Sequence, residues 1–187
     1  YKLITYNRSD SQYLNEEHHS EAPVILNAIS SNLSEYADLI SQNTDSNRKS
    51  RAFNDSKVTA HHGIIPTLKK LNDSEKLSEK EKNIYELIAL RYIAQFLPLR
   101  KTEQTVIGIK CESFDFSSTA TVELDKGWRL IVEEENKEEE VAFDTPFSQG
   151  DQGTVQEINI IENITRPKPL YPEASLLADL TQVAKYI

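Results

Sequence analysis

The apolar residues change their period at Pro98, and that change constrains the fold more than any other feature of the chain. Ahead of it, Ile84, Leu87, Ile88, Arg91 and Gln95 trace one face of a long segment beside Leu90, Ile93 and Leu97. This is helical spacing, and Ser78 with Glu81 supplies the capping box that would start such a helix. Beyond Pro98 the period becomes two, as strands require. Residues 105–112, 114–116 with 119–124, 127–133 and 154–162 each read as strands, with Asp125-Lys126-Gly127 as a tight turn. The pattern predicts an α+β chain: a helical first half followed by an antiparallel meander. A Pro-rich extended connector over 165–172 and a last helix over 173–186 complete it.

The rest of the first half also reads as helical. Asn15-Glu16-Glu17 opens a short helix with acid in its first turn, where the helix dipole favours it. Pro23 suits the first position of a second helix carrying Val24, Leu26, Ile29 and Leu33. Ser34 offers an N-cap for a short piece through Tyr36, Leu39 and Ile40, and residues 42–54 are polar enough to be a loop.

Charge divides at the same place. Residues 1–101 hold 14 Lys+Arg against 13 Asp+Glu, whereas residues 102–187 hold 7 against 17, so the net charge of -9 belongs to the second half. Its acidic cluster, Glu133-Glu134-Glu135 with Glu138-Glu139-Glu140, reads as a solvated hairpin tip. Phosphate contacts need Lys and Arg, so any nucleic-acid contact is expected from the first half. No run approaches the roughly 20 apolar residues of a membrane span. The single cysteine, Cys111, excludes an internal disulfide framework and fits a reducing cytoplasm. The opening Tyr1-Lys2-Leu3, in a chain without Met, reads as a piece of a longer protein.

Two short segments carry reactive side chains. In Leu3-Ile4-Thr5-Tyr6-Asn7-Arg8-Ser9-Asp10-Ser11, an extended backbone turns Tyr6, Arg8 and Asp10 to one side. A phenol beside a guanidinium that can fork onto phosphate oxygens is a minimal kit for phosphodiester transesterification. By itself the same spacing fits an ordinary strand end with an exposed Arg–Asp pair. The second segment is Asp55-Ser56-Lys57-Val58-Thr59-Ala60-His61-His62-Gly63-Ile64-Ile65-Pro66-Thr67. An imidazole here could donate to a phosphate oxygen or assist proton transfer. Metal binding by His18-His19 and His61-His62 is not expected, because neither pair has a helical i, i+4 separation or a nearby Cys. Tyr92 and Trp128 read as core aromatics.

The second segment resembles the "AHHAIIPT" box of type IA DNA topoisomerases, and the first resembles that family's "LITYPRSD" box. Ser78 to Glu81 with residues 87–96 is a third match. Thr165-Arg166-Pro167-Lys168-Pro169 with Glu173-Ala174-Ser175-Leu176-Leu177 is a fourth, in the family's order. His62 and Ile65 make the bacterial topoisomerase III subgroup the nearest, with topoisomerase I of the same family as the alternative. The resemblance implies that Tyr6 attacks the DNA backbone and becomes joined to a 5′ phosphate. It implies Arg8 and His61 as the other catalytic groups on the scissile phosphate. Arg8, Asp10, Ser11, Lys57, Thr59, His61 and His62 are the implied DNA contacts.

The resemblance also divides the chain into a helical tyrosine-bearing domain over 1–100, part of a β-rich arch over 101–165, and the start of another helical domain over 166–187. The implied parent is a ring-shaped, monomeric enzyme of the cytoplasmic nucleoid. It acts without ATP on DNA, preferably single-stranded, with no membrane partner. Its Mg²⁺ is held by a Toprim domain of which nothing here is reminiscent, so no metal ligand is expected in this chain and no activity from it alone. Asn7 stands where the family has Pro, and Gly63 where it has Ala. A noncatalytic DNA-binding module that kept the fold, or a purely structural domain, are the readings from other classes.

Overall fold

A computed structural model describes residues 1–9, 11–72, 74–131, 143, 147–157, 159–165, 167 and 170–181. The contacts divide the chain into two compact units, Tyr1–Pro146 and Phe147–Ile187.

In the first unit, helix α1 (Ala22–Asn32) is the centre of the core. Ala22, Ile25, Leu26, Ala28 and Ile29 are buried on it, a stripe at three- and four-residue spacing, and Pro lies at its first turn as the sequence implied. Val24 falls on the other side and is exposed. A 3-10 turn over Ser34–Tyr36 leads into α2 (Ala37–Asn43), with no capping bond from a side chain at either start. The expected Ser34 cap is absent because Ser34 is already inside that turn. The polar loop that follows is tied across the core rather than left loose. The Asp45 amide donates to the Phe96 carbonyl at 3.0 Å, and the Ser50 hydroxyl donates to Gln95 at 2.7 Å.

The long helix α3 (Glu79–Ile93) starts where expected, with both halves of the Ser78–Glu81 capping box formed. Its buried face differs from the expectation. Tyr85, Ala89, Tyr92 and Ile93 face inward, while Ile84 is 58% and Leu87 60% exposed. The reason is aromatic. Tyr92 stacks edge-on against Phe96 with centroids 5.1 Å apart, and Phe96 meets Phe53 at 6.0 Å. Tyr85 also accepts a bond from Asn32 of α1 at 3.0 Å. The small Ala89 lies between the two tyrosines on this stripe. Rotating the helix to bury Ile84 and Leu87 would forfeit those ring contacts, which carry more area than the aliphatic pair. Burial pushes the hydroxyls of Tyr85 and Tyr92 toward higher pKa. A hydrogen bond to Glu86 pushes that of Tyr36 up to about 12. All three stay protonated at neutral pH.

Past Pro98 the described residues form an antiparallel hairpin, β1 (Lys101–Cys111) with β2 (Phe114–Asp125), in register from Thr105 opposite Ala120 to Cys111 opposite Phe114. The tip places Glu112 at φ 53, a left-handed conformation that a side chain seldom adopts. The expected strand over 127–133 is instead a 3-10 turn, Gly127–Leu130, as far as it is described. Residues 132–142, and with them the Glu133–Glu140 cluster, lie outside the described residues. Close packing explains the turn. A Cβ at Gly127 would come within 2.5 Å of the backbone of Pro98, Leu99 and Arg100, and its φ is 50. Such an approach suits a tight turn against the helical module and excludes a regular strand. Beside it Glu123 is held by Arg100 at 2.7 Å and Arg129 at 3.2 Å. Those guanidiniums hold its carboxyl below the usual carboxylate range.

In the second unit, α4 spans Glu173–Thr181, and in its first turn the Ser175 hydroxyl donates to the Pro172 carbonyl at 3.0 Å. The Tyr171 hydroxyl reaches Asp179 at 2.7 Å. The described residues of 154–162 are not in a strand, contrary to expectation. Ile160 and Ile161 there are exposed, and among the described residues of the unit no partner strand repays the cost of ordering them.

Two outcomes follow. Gly127→Ala combines a left-handed φ with a backbone clash, and is expected to destabilise by at least about 2 kcal/mol in urea melts. Glu123→Gln removes a carboxylate whose pKa is lowered in the fold. Its stabilisation is present above the ordinary carboxylate value and lost as pH falls through the depressed one. The gap in melting temperature between wild type and this variant is therefore expected to be widest near neutral pH and to close in acid.

Candidate active site

Tyr6 and His61 are 55 positions apart in sequence, yet their rings lie 5.4 Å apart at 54°. Backbone pairing produces this. Ile4 bridges Pro66 in an antiparallel sense, the Thr5 amide donates to the Ile65 carbonyl at 2.9 Å, and the Thr67 amide donates to Leu3 at 2.9 Å. Two threonine hydroxyls reinforce the pair. Thr5 accepts from the Ile65 amide at 3.1 Å, and Thr67 donates to the Lys2 carbonyl at 2.7 Å. Leu3 and Ile65, on the inward side, belong to the core. Alternation then turns Tyr6 outward, where it is 62% exposed.

The turn after Tyr6 is fastened to the histidine segment. The Ser9 hydroxyl donates to the His62 carbonyl at 2.7 Å, and the Gly63 amide donates to Tyr13 at 2.7 Å. The Ser11 hydroxyl accepts from the Tyr13 amide at 3.0 Å and reaches the Lys57 carbonyl at 3.4 Å. Lys57 in turn donates to the Tyr13 hydroxyl at 3.0 Å. Ser11 and Lys57 thus act on the shape of the turn. Asp10 lies outside the described residues.

Arg8, Thr59 and His61 are exposed, and among the described residues Tyr6, Arg8 and His61 make no hydrogen bond or ion pair. A phenol, a guanidinium and an imidazole are therefore presented outward on one loop pair with their polar atoms free. Such a set can accept an anionic ligand without first breaking internal bonds. His62 behaves differently. It is half-buried, its Nδ1 donates to the Gly63 carbonyl at 2.7 Å, and its ring meets His18 at 4.5 Å. His18 went unnoticed in the sequence as a neighbour of this site. Its only signal was an imidazole shortly after the Tyr6 turn.

Among the described residues no three His, Cys, Asp or Glu side chains gather as a metal site. A shallow recess of about 360 Å³ is lined by Pro23, Leu26, Ser30, Ile40 and Thr44, none of them a predicted site residue. No helix of the described residues is long and apolar enough to cross a membrane.

A family model described as DNA topoisomerase matches residues 1–184, and the chain belongs to that family. Similarity to named relatives is of the type IA, topoisomerase III kind. The chain is 34% identical to DNA topoisomerase 3 of Vibrio cholerae over 188 residues, all of this chain and 29% of that protein. It is 34% identical to DNA topoisomerase 3 of Salmonella typhimurium over 193 residues, covering 28% of that protein. The match to DNA topoisomerase 3 of Bacillus subtilis is 28% identical and covers 26%. The chain thus spans less than a third of the length of these curated relatives.

Gly63 offers a test of how tightly the two segments are packed. A Cβ there would sit 3.4 Å from the Tyr13 carbonyl oxygen and 3.5 Å from Leu14, ordinary contact at its closest limit. Gly63→Ala is expected to stabilise the fold by about 0.4–1 kcal/mol, by restricting the unfolded chain. Urea denaturation measures this, and a loss would mean that the segments cannot yield a few tenths of an ångström.

Proposed function

We propose that this chain is the tyrosine-bearing part of a type IA DNA topoisomerase, of the topoisomerase III kind. The observation that carries the reading is the meeting of Tyr6 with His61, both exposed, in a chain matched along residues 1–184 by the DNA topoisomerase family. The Tyr6 oxygen attacks a backbone phosphorus. The bond from phosphorus to the 3′ oxygen breaks, a 5′-phosphotyrosine forms, and the 3′ hydroxyl leaves with a proton. Reversal reseals the strand after another has passed. The ester conserves the phosphodiester, so no ATP is consumed. Arg8 and His61 stabilise charge on the phosphate oxygens as it develops. Ser11, Lys57, Thr59 and His62 border the DNA path, and Asp10 is a further contact of the same reading.

Residues 1–100 are the helical tyrosine domain, 101–165 part of the β-rich arch of a ring-shaped parent, and 166–187 the start of the next helical domain. The substrate is DNA, preferably single-stranded, and the parent is a monomer of the cytoplasmic nucleoid. Mg²⁺ requires an oxygen-rich ligand set, and the described residues gather no such group. It belongs to a Toprim domain outside these residues.

The test uses the full-length parent. Tyr6→Phe is expected to abolish covalent DNA adducts on denaturing gels while single-strand binding persists. Adduct from the Phe variant would overturn the assignment. Arg8→Ala and His61→Ala are expected to slow single-turnover cleavage much more than they weaken binding. Arg8→Lys should recover only in part, because an ammonium lacks the fork of the guanidinium.

A further inference from the structure

We propose that His18, held by Glu21, is a positioning residue for the Tyr6–His61 pair and acts through the ring of His62. The proposal rests on the reading of Tyr6 and His61 as reacting groups given above. Its argument is a chain of contacts leading from the core to the site.

Glu21 occupies the N-cap position of α1, the helix that buries Ala22, Ile25, Leu26, Ala28 and Ile29, so it is attached to the most firmly packed element of the unit. Its carboxylate lies 3.2 Å from Nδ1 of His18. A carboxylate accepts, so Nδ1 carries the proton and the imidazole is fixed in rotation. The backbone between them is also closed, since the Glu21 amide donates to the His18 carbonyl at 3.3 Å. The oriented ring then meets that of His62 edge to face, with centroids 4.5 Å apart at 62°.

His62 is tied down on every side. Its Nδ1 donates to the Gly63 carbonyl at 2.7 Å, and its own carbonyl accepts from Ser9 at 2.7 Å. The bond from the next amide, Gly63 to Tyr13, fixes the segment beyond it. His61 is exposed where His62 is half-buried, so an anchored inner His62 presents an outer His61. His61 is the residue that meets Tyr6. In this division of labour His62 holds and His61 reacts, with His18 fixing the angle of the holder. Misplacement by about 1 Å at a reacting pair costs up to roughly a hundredfold in rate, so an anchor of this kind bears directly on catalysis.

The experiment has two arms. In the full-length parent, His18→Ala is expected to slow single-turnover cleavage of a labelled single-stranded oligonucleotide about tenfold to a hundredfold at saturating DNA. Its Kd for the same oligonucleotide should stay essentially unchanged. In the 187-residue chain, His18→Ala and Glu21→Ala are both expected to weaken the NOE between the Tyr6 and His61 rings while the Phe53–Phe96 NOE persists. His18→Phe, which restores a ring against His62 but no donor to Glu21, should recover part of the NOE and part of the rate. If His18→Ala leaves the Tyr6–His61 NOE and the cleavage rate unchanged, the proposal is overturned. If His18→Ala also loses the Phe53–Phe96 NOE, the exposed Glu21→Ala decides: a weakened Tyr6–His61 NOE supports the proposal and an unchanged one overturns it. The NOE arm does not depend on topoisomerase chemistry, so adduct formation by Tyr6→Phe would sink that reading separately.

Discussion

Everything at the site depends on a short antiparallel pairing, Leu3 to Thr5 against Ile65 to Thr67. Two backbone hydrogen bonds of 2.9 Å and two threonine hydroxyls hold it, and Leu3 and Ile65 anchor its inner side in the core. An isolated pair of this length is marginal in water. It persists here because its inner residues are buried against the helices, so packing rather than pairing supplies the stability. The outer side then has no choice. Once Leu3 faces inward, the strand-like alternation and the turn that follows present Tyr6 to solvent beside His61.

The helical core is the rigid body on which that pairing rests. Its centre is aromatic as much as aliphatic, with Phe96 in ring contact with both Phe53 and Tyr92, and His19 edge-on to Phe53 at 5.1 Å. The parallel bridge of Leu14 with Phe53 carries the chain from the Tyr6 turn into this cluster. The hairpin joins the helices at a second fixed point, where Gly127 lies against Pro98 to Arg100 and Glu123 is shared by two arginines. Position at the site is therefore inherited from packing far from it.

Much of this was legible in the sequence. The capping box of Ser78 and Glu81, the Pro23 start of α1, and the change of period at Pro98 are local signals, and each states its consequence within a few residues. What was not legible depended on partners distant in sequence. Ile84 and Leu87 have helical spacing, but only the presence of Phe53 and Asn32 makes the tyrosine stripe of α3 the better face to bury. Residues 127–130 have strand-like composition, but the backbone of Pro98 to Arg100 leaves room only for a turn at Gly127. At the site, Tyr6, Arg8 and His61 could be singled out by type and resemblance. The role of His62 as an inner anchor could not, because His18 reaches it from a different segment.

Amide hydrogen exchange on the 187-residue chain tests the pairing most directly. The amides of Thr5, Ile65 and Thr67 are all hydrogen-bonded across it, so they should exchange slowly and lose protection together, at a free energy near that of the buried amides of α1. If those three exchange as freely as an unfolded chain while α1 stays protected, the two segments are not held together. Tyr6 and His61 would then share no site.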